Sequence, residues 1–305
     1  MMRKRLIRLL RAQSGHDGFI VVAVLWILTA LATLASIFSV YVINTAIAFT
    51  IHDERLQAEG LSRAAIELSV YQFLVAPQAP PSRGTTVFRL GNAAVTAEFR
   101  SEAARIDLNN APKELLAGLF IGLGAPRPAA ESYADRIIGW RAPPPTDDPR
   151  NEAATYRAAG IAYAPRGAPF PHTSELGLVF GIPELFVERA LPFLTVYSGQ
   201  PQINILDAAP QVLAALPGMD PERLNAVLAR RDVPQQNAQG LLAMLGPAQN
   251  FATIQGNKVL RVTTRIAFDS GQRMTTEAVV FVLDSGTEPY RILTWRDDID
   301  DARGR

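Results

Sequence analysis

The 305-residue chain contains no cysteine, which rules out a disulfide framework and any thiolate metal site. It has only three histidines, His16, His52 and His172, scattered along the chain, so a histidine metal triad is not expected. It has no glycine-rich phosphate loop and no nucleophile elbow. Ser174 beside Glu175 has no histidine placed to activate it and reads instead as a helix N-cap ahead of Leu176 and Leu178. An anchored enzyme therefore has no catalytic constellation to rest on. Charge is also missing where it is usually dense: from Gly18 there is no Lys, Arg, Asp or Glu until Asp53, and from Phe19 there is no proline until Pro77.

What fills that gap is an apolar run, Gly18-Phe19-Ile20-Val21-Val22-Ala23-Val24-Leu25-Trp26-Ile27-Leu28 and onward. It is too long for the roughly 7–15-residue core of a secretory signal and exceeds the roughly 20 residues that a spanning helix needs. A leader with Arg3, Lys4, Arg5, Arg8 and Arg11 precedes it. By the positive-inside rule the N-terminus is cytoplasmic and the body lies across the membrane. Of the 30 Lys/Arg and 29 Asp/Glu in the chain, 25 and 28 lie beyond this leader. That mildly acidic body has no electrostatic footprint for nucleic acid.

Beyond the span the helix is expected to continue amphipathically, with Ala58, Leu61, Ala65, Leu68 and Phe73 on one face and Arg55, Glu59, Arg63 and Glu67 on the other. Pro77, Pro80, Pro81 and Gly84 end it. The segments 85–90 and 95–99 around Gly91-Asn92 read as a β-hairpin. Strand-like texture returns at 259–268, 277–282 and 290–295, with turns at Gly271 and Gly286. The simplest arrangement is one antiparallel sheet packed on the first helix, with a helical domain inserted between its strands.

The middle holds an internal near-repeat. Ile106-Asp107-Leu108-Asn109-Asn110-Ala111-Pro112 aligns without gaps onto Ile203-Asn204-Ile205-Leu206-Asp207-Ala208-Ala209, and the alignment runs on to Leu119 and Leu216. Asn110 and Asp207 fall at expected helix N-caps, with Pro112 and Pro210 in the first turns. The second copy continues as Leu216-Pro217-Gly218-Met219-Asp220-Pro221-Glu222, similar to a helix-hairpin-helix. That module grips DNA through open backbone N–H groups. Here Asp220 and Glu222 would repel phosphate, so packing is the expected role; a membrane-anchored DNA-binding protein of the competence type is the alternative function.

A basic leader, then Gly18-Phe19 heading a long apolar helix, resembles the type IV pilin class. In that class a prepilin peptidase cuts after the glycine and the new terminal Phe is methylated. Ala23 stands where most pilins carry Glu at the fifth mature position. With that junction, Ile106-Asp107-Leu108-Asn109, Thr173-Ser174-Glu175-Leu176-Gly177-Leu178-Val179, Leu194-Thr195-Val196-Tyr197, the Ile203 unit and Arg291-Ile292-Leu293-Thr294-Trp295-Arg296, the chain resembles the minor pseudopilin K family of type II secretion.

The resemblance implies an α+β, type IV pilin-like fold with a large inserted all-α domain made of two small SAM- or helix-hairpin-helix-like units. The expected divisions are a leader at 1–18, an assembly helix at 19–76, a sheet at 77–105 and 250–296, insert units at 106–199 and 200–249, and a tail at 297–305. It implies cleavage between Gly18 and Phe19 with N-methylation of Phe19, and an assembly helix that includes Ala23 and Trp26. The site is the bacterial inner membrane, single-pass, with a periplasmic body. The implied partners are minor pseudopilins I and J, then H, together with the peptidase, and no nucleic acid. The implied role is to initiate or cap the pseudopilus that moves folded proteins outward. A buried carboxylate at membrane depth is costly unless paired, and a tip subunit has no neighbour above it, which accounts for Ala23. No cofactor is expected. Some family members bind calcium in the loop at 143–156, where Asp147, Asp148 and Glu152 are the candidates here. The family's acidic pair is replaced by Ala154-Thr155, so a solvated loop is the expectation.

Overall fold

A computed structural model of the chain describes residues 17–76, 81–143, 152–231, 238–283 and 288–297. The chain divides into two compact units, residues 1–60 and 61–305. The first is the apolar part of helix α1, which runs in all from Asp17 to Leu74. Its Phe19–Ala46 stretch, 28 residues with a mean hydropathy of 2.5, is long and apolar enough to cross a membrane. Thr29, Thr33, Ser36 and Thr45 each return their hydroxyl to the carbonyl four residues back, so these four hydroxyls are satisfied within the helix.

In the second unit, the last turns of α1 present Leu61, Ala65, Ile66, Val70 and Phe73 as a buried stripe. Leu68 departs from the expected core face and is 40% exposed. Seven residues after Leu61, it falls at the margin of the stripe and not within it, turned toward the exposed Tyr71.

The stripe packs on a five-stranded antiparallel sheet, ordered β1-β2-β7-β8-β9. Strands β1 (Arg83–Leu90) and β2 (Ala93–Ser101) form the expected hairpin around Gly91-Asn92, with Gly91 at φ +60°, where a Cβ would be strained. Strands β7 (Val259–Phe268), β8 (Arg273–Val282) and β9 (Tyr290–Asp297) complete it; Gly286 lies outside the described residues. Val95, Ala97, Phe99, Val262, Thr264 and Ile266 face the helix, and Ser62 donates a buried hydrogen bond to Thr276 across that layer. Alternation of period two therefore sends Arg100, Arg261, Thr263 and Arg265 to the other face.

Among the described residues all the helices after α1 fall between β2 and β7. The first insert unit holds β3 (Ile106–Asp107), α2 (Lys113–Gly122), α3 (Arg127–Arg141), α4 (Glu152–Ala158), α5 (Glu184–Ala190) and β4 (Leu194–Thr195). The second holds β5 (Ile203–Asn204), α6 (Pro210–Ala214), α7 (Pro221–Arg231), α8 (Ala238–Met244) and β6 (Ala252–Thr253). One continuous apolar core runs through both, from Ile106, Leu115 and Leu116 to Val212, Leu213 and Leu245. The helix ends differ from expectation. Neither Asn110 nor Asp207 caps a helix: α2 starts after Pro112 and α6 after Ala209, both without a side-chain cap. Likewise His172, not Ser174, caps the 3-10 turn Thr173–Leu178, its Nδ1 accepting from the Ser174 backbone N–H; the same Nδ1 lies 2.8 Å from Ser174 Oγ, so a histidine does reach this serine, contrary to expectation, as part of the cap.

Candidate assembly surface and the duplicated insert

The apolar helix is the first candidate surface. Phe19 is 77% and Trp26 73% exposed, as is most of the side-chain area from Ile20 to Ile43. Apolar area of this size is stable only in lipid or against other helices. Ala23 lies within it and places no charge there. The helix begins at Asp17, so the Gly18–Phe19 junction is helical backbone, whereas the leader's basic residues lie outside the described residues.

The second candidate is the insert, whose two units share one construction. Each opens on a two-residue parallel ladder, Ile106-Asp107 against Leu194-Thr195 and Ile203-Asn204 against Ala252-Thr253. A turn follows, then a short helix, then a longer helix whose final arginine reaches back to the turn. Arg141 at the end of α3 donates to the carbonyls of Leu108 and Ala111. Arg231 at the end of α7 donates to those of Ile205 and Ala208. The four carbonyls occupy equivalent places in the sequence repeat. They would otherwise end buried and unpaired, and a guanidinium fork satisfies two at once. The two units meet at Gly118, where a Cβ would lie 2.0 Å from the Ala215 carbonyl oxygen, so no larger residue fits.

Buried polar groups fasten the insert to the sheet. Asp107 Oδ1 accepts from the backbone N–H groups of Asn109 (2.7 Å) and Asn110 (3.2 Å), and Oδ2 from the Ser198 hydroxyl and the Gly199 N–H. Asn257, at the return to β7, bonds Ser101 and the Ser198 carbonyl. Glu102, 1% exposed, accepts from Arg261 Nε at 2.6 Å and from the Thr195 hydroxyl, and Arg261 also pairs with Glu277. Burial alone would raise the Glu102 pKa, but the Arg261 charge and hydrogen bonds outweigh it and hold the carboxyl below its usual range. Sequence reading missed Glu102, Arg261, Arg141 and Arg231. The two arginine clasps follow a repeat that was already visible, whereas the Glu102–Arg261 pair joins positions 159 residues apart.

Residues 92–199, covering the end of the first hairpin and the first insert unit, match the sequence model of the family "Type II secretion system (T2SS), protein K". The match covers about a third of the chain, and over that stretch the chain is similar to this family. A chain in the crystal structure of the GspK-GspI-GspJ complex from the enterotoxigenic Escherichia coli type 2 secretion system has the same fold. The two are 17% identical with a TM-score of 0.60, over 82% of this chain and 98% of that one. The curated proteins compared yielded no match. The α+β fold expected from the sequence, a long apolar helix, an antiparallel sheet and an inserted helical domain, is the fold observed here and shared with that chain.

Within that fold the remaining candidate residues fall apart. Asp147 and Asp148 lie outside the described residues. Glu152 is engaged by Arg136, at 2.9 and 3.1 Å. Among the described residues no three His, Asp or Glu side chains gather as a metal site. In the second hairpin Asp220 Oδ1 accepts from the Arg223 N–H at 2.7 Å, capping α7, and Arg223 donates to the Gly218 carbonyl. That carboxylate occupies the helix start where a phosphate would otherwise sit.

Proposed function

We propose that the chain is the minor pseudopilin at the tip of a type II secretion pseudopilus, where it initiates or caps the fibre. The observation that carries this reading is a helical insert, its first unit matched by the family model, interrupting a pilin-like sheet in a chain that begins with an exposed apolar helix. Fibre subunits would join through the apolar helix, and a bulky insert suits an end position better than an interior one. Ala23 fits the same place, because a subunit with no neighbour above needs no carboxylate for a neighbour's amine.

In this reading a prepilin peptidase cuts between Gly18 and Phe19 on the cytoplasmic side, Phe19 is methylated, and the body is periplasmic. Minor pseudopilins I and J are the direct partners, with H below them; the related fold occurs in a GspK-GspI-GspJ complex. The role is structural and needs neither a reaction nor a cofactor. Calcium at the 143–156 loop would have to compete with Arg136 for Glu152.

Co-expression with a prepilin peptidase tests the reading: the mature product should start at Phe19, and a product still starting at Met1 overturns it. Co-purification with the system's own I and J proteins should yield one complex, and separate elution of this chain removes the partner assignment.

A further inference from the structure

The five-stranded sheet carries eight arginines and no lysine on its strands, with only Glu98, Glu277 and Asp297 as acids. Register places every one of those arginines on the face turned away from α1. Arg83, Arg100 and Arg261 stand side by side on β1, β2 and β7. Arg265 lies two same-face steps along β7 from Arg261, Arg273 opposite Ala267, Arg291 opposite Phe281 and Arg296 opposite Glu277. Arg89 flanks Ala94 at the hairpin end.

A row of three like charges directly across strands is destabilising unless anions answer it. Carboxylates beyond the strands answer only its ends. Arg261 is held by Glu102 at 2.6 Å, and Arg83 approaches the Asp207 carboxylate at 3.5 Å. The middle residue, Arg100, is exposed and has no acidic partner within 4.0 Å among the described residues. It lines a cleft of about 570 Å³ between this sheet face and the insert, walled by Pro192, Phe193 and Val212 on the insert side. At the open edge of the sheet Val87, on the same face, is 71% exposed.

We infer that this cleft is a docking site for a carboxylate-bearing segment of a partner protein, which supplies the missing anion to Arg100. A guanidinium fork pairs an isolated carboxylate in two parallel hydrogen bonds. A protein segment fits better than a phosphate-rich surface for two reasons. Glu98, Glu277 and Asp207 line the same cleft and would repel a continuous run of phosphates, as in a bilayer or a nucleic acid. The site is also concave, so a flat headgroup layer cannot reach its floor. The inference stands on charge complementarity and does not depend on which subunit supplies the acid.

The test is site-specific photo-crosslinking of the full-length chain in native membranes, with a benzophenone amino acid at Thr96, which faces Val87 and Arg265 on this face. The expected result is a protein adduct whose mapped segment contains Asp or Glu, with its yield falling at least five-fold in Arg100→Glu and Arg100→Gln. Arg100→Lys should keep part of it, and Arg157→Glu, exposed on α4, should keep all of it. A lipid or nucleic-acid adduct, a mapped segment without carboxylates, a yield indifferent to Arg100, or no adduct overturns the inference. Unchanged melting temperatures of the purified variants separate loss of docking from loss of fold.

Discussion

The two insert units are built to one plan but are fastened differently. The first places Asp107 at its opening turn, and one carboxylate takes four backbone and hydroxyl donors. The second places Asn204 there, which accepts from the Leu206 N–H and reaches Asp207 only at 3.5 Å. Thr195 and Thr253 each accept from the N–H two residues on, but only Thr195 also donates to a buried carboxylate, Glu102. The difference tracks position: the first unit is joined to the sheet at the chain's entry, and charged groups buried there must be fully partnered. The second unit places a neutral amide at the same turn position, and its buried carboxylate, Asp207, pairs with Arg83 of the sheet instead. Shared architecture thus comes from the backbone turn and its arginine clasp, and the electrostatic investment follows the junction.

Substitutions that break or sharpen this contrast can be ranked. Glu102→Ala leaves Arg261 buried beside only Glu277 and should cost about 3–5 kcal/mol, read by chemical denaturation of the body. Asp107→Ala strands several buried donors and should cost about 3 kcal/mol, whereas Asn204→Ala should cost about 1 kcal/mol. Equal losses would erase the contrast between the units. Gly118→Ala drives a methyl into the Ala215 carbonyl and should cost about 1–3 kcal/mol, loosening both units together. Tyr156→Phe leaves the Phe180 N–H without its acceptor and should cost about 1–2 kcal/mol in the first unit alone.

The same groups set the pH response. The folded-state pKa of Glu102 lies below its ordinary 4.5, so its contribution is complete above that value and fades as pH falls through the depressed folded value. The acid limb of the wild-type stability curve should therefore be steeper than that of Glu102→Gln below about pH 4.5. Burial pushes the Tyr156 hydroxyl up to about 12, which acts in the opposite direction. That contribution is whole below pH 10 and declines toward 12, and Tyr156→Phe should flatten the alkaline limb.

Much of this architecture is legible from local pattern. The uncharged run before Asp53, the hairpin at Gly91-Asn92 and the alternation of β7 are local signals, and local energetics decide them. The repeat beginning at Ile106 and Ile203 was equally plain. Its caps were misread because the stretch allows either a helix N-cap or a side-chain-stabilised turn, and both use Asp or Asn. At Asp107 and Asn204 the turn won, since each closes onto a strand partner far along the chain. Leu68 was misplaced for a related reason: apolar residues on two faces of α1 satisfy the same loose spacing, and only the sheet decides which is covered.

By itself the sequence determined a spanning-length apolar helix, the strands, the insertion point and the duplication. Each is written in periodicity or composition within a few dozen residues. Only the tertiary structure decided that Glu102 meets Arg261, that Arg141 and Arg231 clasp the opening turns, and that every strand arginine shares one face. Those outcomes depend on strand register and on contacts that span from 23 residues in the Arg231 clasp to 159 in the Glu102–Arg261 pair, where pairing geometry, and not local preference, fixes which groups are neighbours.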